Sequence, residues 1–225
     1  MFDKQLIRCS GLGKVMTNNR KGDAIGETAK SYLKELYLRV KFGIQKDVTS
    51  KYISKGLMVE ESAISLLSNV YGEFYTKNDE FKANDYICGT CDIYENGIIR
   101  DIKSSWDATT FPMFESELPN KEYFYQLQGY MWLWDAETSY VDYVLIDTPS
   151  QLIEDEKRRL AWKMGLIDDI SEEYLEACAE IDRIHSFAQM PDEYRVKSFE
   201  VKRDEKVIEQ IQSRVIEARK YLMTL

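Results

Sequence analysis

Residues 87–103, with the sequence ICGTCDIYENGIIRDIK, decide how this chain folds. They predict a β-hairpin, because the Asn-Gly pair at positions 96–97 is the dipeptide that most favours a two-residue type I′ turn. A turn at this position would place Asp92 directly opposite Asp101, with Cβ atoms about 4.5–5.5 Å apart. Side chains alternate along a strand, so Lys103 would lie on the same face as Asp101.

This predicted face brings two carboxylates and an ammonium group together, and like charges in cross-strand positions repel. A divalent cation would supply a reason for the arrangement, because it turns the repulsion into ligation. His185 is the single histidine of the chain, which argues against histidine-rich zinc sites and histidine-based nucleases. Oxygen ligands would have to hold the metal, and such ligands favour Mg²⁺ or Mn²⁺.

The composition is that of a globular protein. The chain has 225 residues, of which 44% are hydrophobic, so we expect one domain with a full core. It contains no apolar run long enough to cross a membrane, and its first residues lack the hydrophobic region of a signal peptide. We therefore expect a cytoplasmic protein with no membrane partner. The four cysteines are too few for a disulfide framework, so we expect free thiols.

The charge is unevenly distributed along the chain. The formal net charge is −9, yet residues 1–55 carry 12 Lys and Arg against 5 Asp and Glu. The remaining residues, 56–225, carry 18 basic against 34 acidic side chains. The basic N-terminal third is compatible with a surface that binds phosphates, and equally with ordinary solvated helix faces.

The spacing of apolar residues predicts an α/β or α+β fold with a mixed central β-sheet flanked by helices. The expected helices span residues 23–42, about 57–71, 120–134, a charged region at 150–190 with a break near Gly165, and 204–222. The expected strands, besides the hairpin, are 140–147, 199–201 and a short one at 74–75; residues 1–21 are expected to be irregular. We interpret residues 1–225 as a single domain with a core at about 22–147 and a C-terminal extension at about 150–225.

Glu60 stands out on the second predicted helix. It follows the same helical stripe as Leu57, Ile64 and Leu67. A carboxylate on a buried face is costly unless it is paired or bound to a metal. We interpret Glu60 as a functional residue that joins the metal site, with a shift in helix phase or a buried salt bridge as the alternatives.

The segment RCSGLGK at residues 8–14 combines two glycines, a hydroxyl and flanking cations. Backbone N–H groups in such a loop could hold a phosphate. The spacing matches neither a P-loop nor a dinucleotide-binding motif. From these residues alone, a plain glycine-containing turn is the better interpretation.

Four short motifs follow one another between residues 56 and 130. They are G-x-x-x-E at 56–60, G-x-x-D at 89–92, D-x-K at 101–103 and Q-x-x-x-Y at 126–130. In this order, and on these predicted elements, they resemble the PD-(D/E)XK nuclease superfamily, and most closely its RecB-like and phage exonuclease branch with the YqaJ-type viral recombinases. The resemblance implies a restriction-endonuclease-like core.

The resemblance also implies a site that binds one or two Mg²⁺ or Mn²⁺ ions through oxygen ligands. The implied metal ligands are Glu60, Asp92, Asp101 and the carbonyl of Ile102. The implied catalytic residues are Glu60, Asp92, Asp101, Lys103, Gln126 and Tyr130. Lys103 would orient or activate the attacking water, and the glutamine and tyrosine would position the lysine, the water or the scissile phosphate.

Contacts with DNA phosphates are implied for two regions. The expected phosphate-binding residues are Arg8, Ser10, Lys14 and Ser104. Trp106 follows the D-x-K strand closely enough to stack on a base. Core packing is the simpler interpretation of this tryptophan.

The implied function is that of a Mg²⁺-dependent deoxyribonuclease, an exonuclease that acts on DNA in phage or mobile-element recombination. A single-strand annealing recombination protein would be its partner, and a ring-shaped homo-oligomer is compatible with the resemblance. One alternative is a RecB-like nuclease of the CRISPR-adaptation type, which needs a C-terminal cysteine group where this chain has only Cys178. A second is a catalytically silent DNA-binding accessory protein on the same fold. A third, an accidental motif, requires Asp92 and Asp101 to lie apart.

Overall fold

The computed structural model describes residues 2–22, 24–45, 50–166 and 171–225. The helices are α1 (Leu12–Val15), α2 (Glu27–Phe42), α3 (Lys51–Tyr71), α4 (Lys121–Trp134), α5 (Ser150–Lys163), α6 (Glu172–Ile184) and α7 (Glu205–Met223). The strands are β1 (Ile7–Arg8), β2 (Lys82–Ala83), β3 (Ile87–Gly89), β4 (Ile93–Glu95), β5 (Ile98–Ser104), β6 (Thr138–Val144) and β7 (Val196–Lys202). Short 3₁₀ turns occur at Phe2–Lys4, Cys9–Gly11 and Asp192–Tyr194.

The central sheet has four strands in the order β4-β5-β6-β7. Strand β5 pairs antiparallel with β4 and parallel with β6, and β6 pairs antiparallel with β7. A parallel pair needs a crossover connection, which α4 supplies between β5 and β6. The predicted mixed α/β architecture is therefore confirmed.

The hairpin turn forms as the Asn-Gly pair predicts. Asn96 has φ 51° and Gly97 has φ 78°, the two positive values that a type I′ turn requires. Glu95 pairs with Ile98 and Ile93 pairs with Arg100, as predicted, but the strand pairing ends there, and Asp92 lies just before β4 without the predicted pairing to Asp101. This register carries the chain at Asp92 toward the strand that holds Asp101.

The hairpin is shorter than the quoted stretch suggested. Strand β3 pairs with β1 and β2 in a separate three-stranded sheet, so the prediction that Ile87 belongs to the hairpin is wrong. Between β3 and β4, two backbone carbonyl groups are hydrogen-bonded to Asn78 and not to a neighbouring strand. The Asn78 side chain donates to the Cys91 carbonyl (3.0 Å), and its backbone N–H donates to the Asp92 carbonyl (2.8 Å).

Capping residues set the helix ends around the site. Helix α3 begins six residues earlier than predicted, because the Ser50 hydroxyl accepts the backbone N–H of Ile53 (3.3 Å). Helix α4 begins after Asn120, whose side chain accepts the N–H of Glu122 (2.9 Å). Helix α2 ends at Gly43, as predicted, with φ 67°.

Two expectations about irregular segments are wrong. Residues 1–21 contain β1 and α1, and Ile7, Cys9 and Leu12 are fully buried in the main core. These elements are too short for a periodic pattern to reveal them. No strand forms at residues 74–75 of the described chain, although Tyr75 is buried and Phe74 is 85% exposed, the alternation of a strand.

The main core lies between α4 and the surrounding elements. Leu127 and Met131 of α4 are fully buried and pack among side chains from α1, α2 and α7. The described part of residues 150–225 takes part in this core, since β7 extends the central sheet and Val215 of α7 is fully buried. Helices α5 and α6 pack on each other and contain no buried residue. None of the described helices is long and apolar enough to cross a membrane.

Candidate active site

Strand β5 supplies the centre of the site. Asp101 is 1% exposed, and the Lys103 ammonium group lies 2.7 Å from its Oδ2 atom. Both side chains project from the same face of the strand, as the alternation of residues predicted. The pair is therefore held by the sheet itself, with Asp101 shielded from water and Lys103 partly accessible.

Asp92 approaches this pair from the start of β4. Its Oδ2 atom accepts the backbone N–H of Ile102, at 2.7 Å. Burial and the neighbouring Asp101 carboxylate raise the pKa of Asp92 to about 7, although Lys103 and the Ile102 N–H act in the opposite direction. The two aspartates therefore lie together, and the interpretation of the motifs as accidental is wrong.

The charge on Lys103 is maintained by its surroundings. Burial lowers the pKa of an ammonium group, but Asp101 and then Asp92 outweigh this and raise the pKa of Lys103 above its ordinary value. The ammonium group also lies 4.6 Å from the centre of the Tyr123 ring, a cation–π contact. At neutral pH Lys103 is a cation and cannot accept a proton.

Helix α4 fixes the orientation of Asp101. The Gln126 side-chain amide donates to Asp101 Oδ1 (2.9 Å) and to the Tyr130 hydroxyl oxygen (3.2 Å). Burial and the Asp101 charge raise the pKa of Tyr130, so this phenol stays protonated. Strand β3 can lie close to α4 because Gly89 has no side chain. A Cβ at Gly89 would clash with the Tyr130 ring. Gln126 thus contacts the D-x-K strand directly, and Tyr130 contacts Gln126.

Glu60 acts on Asp92 through its charge, which helps to raise the pKa of Asp92, but its carboxylate forms an ion pair of its own. Its Oε2 atom lies 2.8 Å from the ammonium group of Lys77, in a pair that remains partly exposed. The predicted stripe is wrong in phase, since Leu57 is 71% exposed and the buried face runs through Val59 and Ala63. Glu60 therefore lies at the edge of the buried face, and the two alternatives, a phase shift and a salt bridge, both hold in part.

The donor set partly fits a divalent cation. Asp101 Oδ2 is buried and has no hydrogen-bond partner, since the contact with Lys103 is an ion pair without hydrogen-bond geometry. An incoming cation would satisfy this oxygen and lower the mutual repulsion with Asp92. Within the described ranges, no three His, Cys, Asp or Glu side chains are close enough together to hold a metal ion. The third expected side-chain ligand, Glu60, is paired with Lys77.

The N-terminal segment brings basic side chains to the surface beside β3. Arg8, Ser10 and Lys14 are all exposed. Arg8 lies in β1, which pairs with β3 through Cys88, three residues before Cys91. The glycines of this segment serve packing, because a Cβ at Gly11 would clash with Tyr32. The interpretation of residues 8–14 as a plain turn is therefore wrong, and the phosphate contacts stay predictions.

The residues that follow β5 are divided between surface and core. Ser104 is partly exposed at the end of β5. Trp106 is 4% exposed and packs against the His185 ring, with 4.9 Å between ring centres. The simpler interpretation of Trp106 as a core residue agrees with the structure. The four cysteines are free thiols, as expected.

Lys55 is a polar residue that the sequence did not reveal. It is fully buried in α3, and its ammonium group donates to the Trp106 carbonyl (2.8 Å). Burial lowers the pKa of Lys55 to about 8, with Asp107 and Asp147 acting in the opposite direction. The contact joins α3 to the loop after β5. Positions 55, 59, 63 and 66 recur at helical spacing and lie on the buried face of α3, but a lysine is not expected on such a face.

Comparisons with known proteins agree with this geometry. A phage-related exonuclease from Haemophilus somnus 129PT is 31% identical, with a TM-score of 0.75, over 97% of this chain and 94% of that one. The alkaline exonuclease LHK-Exo from Laribacter hongkongensis shares the fold at 15% identity and a TM-score of 0.66, over 99% and 90% of the two chains. A complex of LHK-Exo with dAMP has a TM-score of 0.65 at 15% identity, over 97% and 88%.

No protein-family model matches the sequence, and a search of curated proteins finds no match. The family assignment rests on the 31% identity along nearly the whole of both chains, together with the four motifs and the contacts of Asp101 with Lys103 and Gln126. The chain belongs to the phage exonuclease branch of the PD-(D/E)XK nuclease superfamily.

Proposed function

We propose that this protein is a divalent-metal-dependent exodeoxyribonuclease that hydrolyses phosphodiester bonds of DNA, with Mg²⁺ or Mn²⁺ as cofactor. The observation that carries the proposal is the pair of buried Asp101 and partly exposed Lys103, oriented by Gln126 and faced by Asp92. A fold has little structural reason to place two carboxylates together, since each opposes ionisation of the other. A site that binds a cation and then a phosphate gives that reason.

The residues that would hold the cation are Asp92, Asp101 and the Ile102 carbonyl, with Glu60 as a further ligand. A divalent cation at this position would activate water for attack and stabilise the charge that develops on the phosphate. Lys103, which stays protonated, would orient the water and neutralise the phosphate rather than accept a proton. Gln126 would hold Asp101 in one orientation, and Tyr130 would hold the Gln126 amide.

The substrate class and the mode of action are inferred from the relatives. The 31%-identical protein is described as a phage-related exonuclease, and LHK-Exo is described in complex with dAMP, a deoxynucleotide. We propose DNA as substrate and attack from an end. Arg8, Ser10, Lys14 and Ser104 are the proposed phosphate contacts.

The biological setting is also part of the proposal. We propose a role in phage or mobile-element recombination, in the cytoplasm, together with a single-strand annealing partner. A ring-shaped homo-oligomer around DNA would suit an enzyme that acts from an end. Size-exclusion chromatography with light scattering would test the assembly directly.

The experiment that tests the activity compares two forms of the same labelled DNA. Linear duplex with labelled ends and covalently closed circular duplex are incubated with protein and Mg²⁺. We expect nucleotides to be released from the linear form while the circle stays intact, and EDTA to stop the reaction. Cleavage of the circle would contradict the exonuclease assignment, and no cleavage of either form would contradict the proposal as a whole.

A catalytically silent DNA-binding protein is the second candidate. It is favoured by the Glu60–Lys77 pair, in which the third carboxylate is already neutralised by an ammonium group. Calorimetric titration with Mg²⁺ separates the two candidates, since a silent protein would bind DNA without binding the metal. The CRISPR-adaptation type is tested by the visible absorption of freshly purified protein, because an iron–sulfur cluster absorbs there.

A further inference from the structure

Lys77 occupies a defined position beside the acidic site. It lies in the segment between α3 and β2, and its ammonium group is 2.8 Å from Glu60 Oε2. The residues around it are anchored. The Tyr75 backbone N–H donates to the Ser68 hydroxyl (3.1 Å), and the Asn78 N–H donates to the Asp92 carbonyl (2.8 Å). The backbone therefore carries Lys77 between the helix that bears Glu60 and the strand that begins at Asp92.

The charges at the site are divided into pairs. Asp101 has Lys103 at 2.7 Å, and Glu60 has Lys77 at 2.8 Å. Asp92 has the Ile102 N–H at 2.7 Å. The Lys77 ammonium group thus contacts one of the carboxylates that would hold a metal.

We propose that Lys77 is a built-in counter-cation of the acidic site, which neutralises the Glu60 carboxylate until a divalent cation replaces it. On binding, the metal would draw Glu60 into coordination and release the ammonium group. This inference rests on the proposed function, because Glu60 is a ligand only if the site binds a metal.

The nature of the pair makes such an exchange feasible. The side chain of Lys77 is 47% exposed and that of Glu60 is 26% exposed, so water and salt weaken their attraction. A divalent cation binds carboxylate oxygens more strongly than an exposed ammonium group does. Removing Lys77 should therefore raise the affinity of the protein for the divalent cation. If Lys77 instead held Glu60 in place for the metal, its removal would weaken metal binding.

The test measures Mn²⁺ binding by the full-length protein without DNA, with electron paramagnetic resonance of the free ion and with calorimetry. Lys77→Met should bind Mn²⁺ about threefold more tightly than the wild type, a small gain because an exposed ion pair is weak. Lys77→Arg keeps the charge and should bind as the wild type does. Lys202→Met is the matched control, because it removes a partly exposed lysine paired with Glu200 on β7, away from the site. It should leave the affinity unchanged.

Unchanged or weaker binding in Lys77→Met would overturn the inference. A gain in Mn²⁺ affinity that persists in the double variant Lys77→Met/Glu60→Gln would also overturn it. The proposed gain depends on the Glu60 carboxylate, which the double variant lacks. Asp92→Asn separates this failure from that of the proposed function. If Asp92→Asn leaves Mn²⁺ binding intact, the metal site itself is wrong. If Asp92→Asn weakens binding while Lys77→Met does not tighten it, only the inference about Lys77 is wrong.

Discussion

At the scale of single residues, Asp92 and Lys103 show how the same environment acts on opposite charges. Burial opposes ionisation of both. Asp92 faces another carboxylate, so its pKa rises to about 7, whereas Lys103 faces two carboxylates and its pKa rises as well. Near neutral pH, the site therefore keeps its ammonium group while one carboxyl is held close to its titration midpoint. A cation that binds there would release a proton from Asp92.

The pKa of Asp92 predicts how stability depends on pH. An aspartate ordinarily titrates near 3.8, and this one near 7 in the folded protein. Between these values the folded protein keeps a proton that the unfolded chain has released, so ionisation of Asp92 lowers the stability as pH rises. Asp92→Asn cannot ionise, so this loss of stability at higher pH should be absent from the variant. In EDTA, we expect Asp92→Asn to melt several degrees above the wild type at pH 8, because about 1 kcal/mol shifts Tm by roughly 2–4 °C at this chain length.

At pH 4 the same variant should melt close to the wild type, since Asp92 is then neutral in the folded protein. Asp182→Asn on α6 is the control, because its partly exposed carboxylate pairs with Lys157 away from the site. A difference in Tm between Asp92→Asn and wild type that is the same at pH 4 and pH 8 would contradict the raised pKa.

At the scale of secondary-structure elements, the type I′ turn has the strongest local effect. Positive φ at Asn96 and Gly97 sets the register of β4 against β5. That register brings Asp92 within hydrogen-bonding distance of the Ile102 N–H. A slip of one residue would turn Asp92 to the opposite face. The position of one carboxylate thus depends on a two-residue turn.

Gly97→Ala tests the turn. Gly97 has φ 78°, which an L-residue adopts at a cost of about 1–2 kcal/mol. We expect the free energy of unfolding, measured in urea, to fall by that amount. Gly56→Ala is the matched control, because Gly56 is helical and a Cβ there would meet nothing within 4 Å. It should stabilise the protein by about 0.5–1 kcal/mol. Equal effects of the two substitutions would contradict the account of the turn.

Elements with strong local signals could be predicted from the sequence. The turn, the end of α2 at Gly43 and the start of α4 at Asn120 each depend on a residue type with a specific backbone role. The separation of β3 from the hairpin could not be predicted, because it depends on Asn78, thirteen residues before Cys91 in sequence. The phase of α3 was also misread, since its buried face includes Lys55.

At the scale of the whole molecule, the sheet order brings distant motifs together. The parallel pairing of β5 with β6 requires a crossover, and that crossover is α4, which carries Gln126 over β5 to Asp101. The motif order predicted that β5 and α4 supply residues to one site, but it did not predict that Gln126 would bind Asp101. The partners of Glu60 and Trp106 were not predictable, because Lys77 and Lys55 belong to no motif and are placed by tertiary contacts.

The central claim is that Asp101 and Lys103 form the centre of a metal-dependent nuclease site. The most direct measurement is the single-turnover rate of nucleotide release from end-labelled linear DNA in Mg²⁺, for wild type and Asp101→Asn. Asp182→Asn serves as the control, and circular dichroism verifies that each variant is folded. We expect Asp101→Asn to lose about 100-fold or more in rate, since even outer-shell partners of metal ligands contribute about 10–100-fold. A folded Asp101→Asn that releases nucleotides at the wild-type rate would contradict the account.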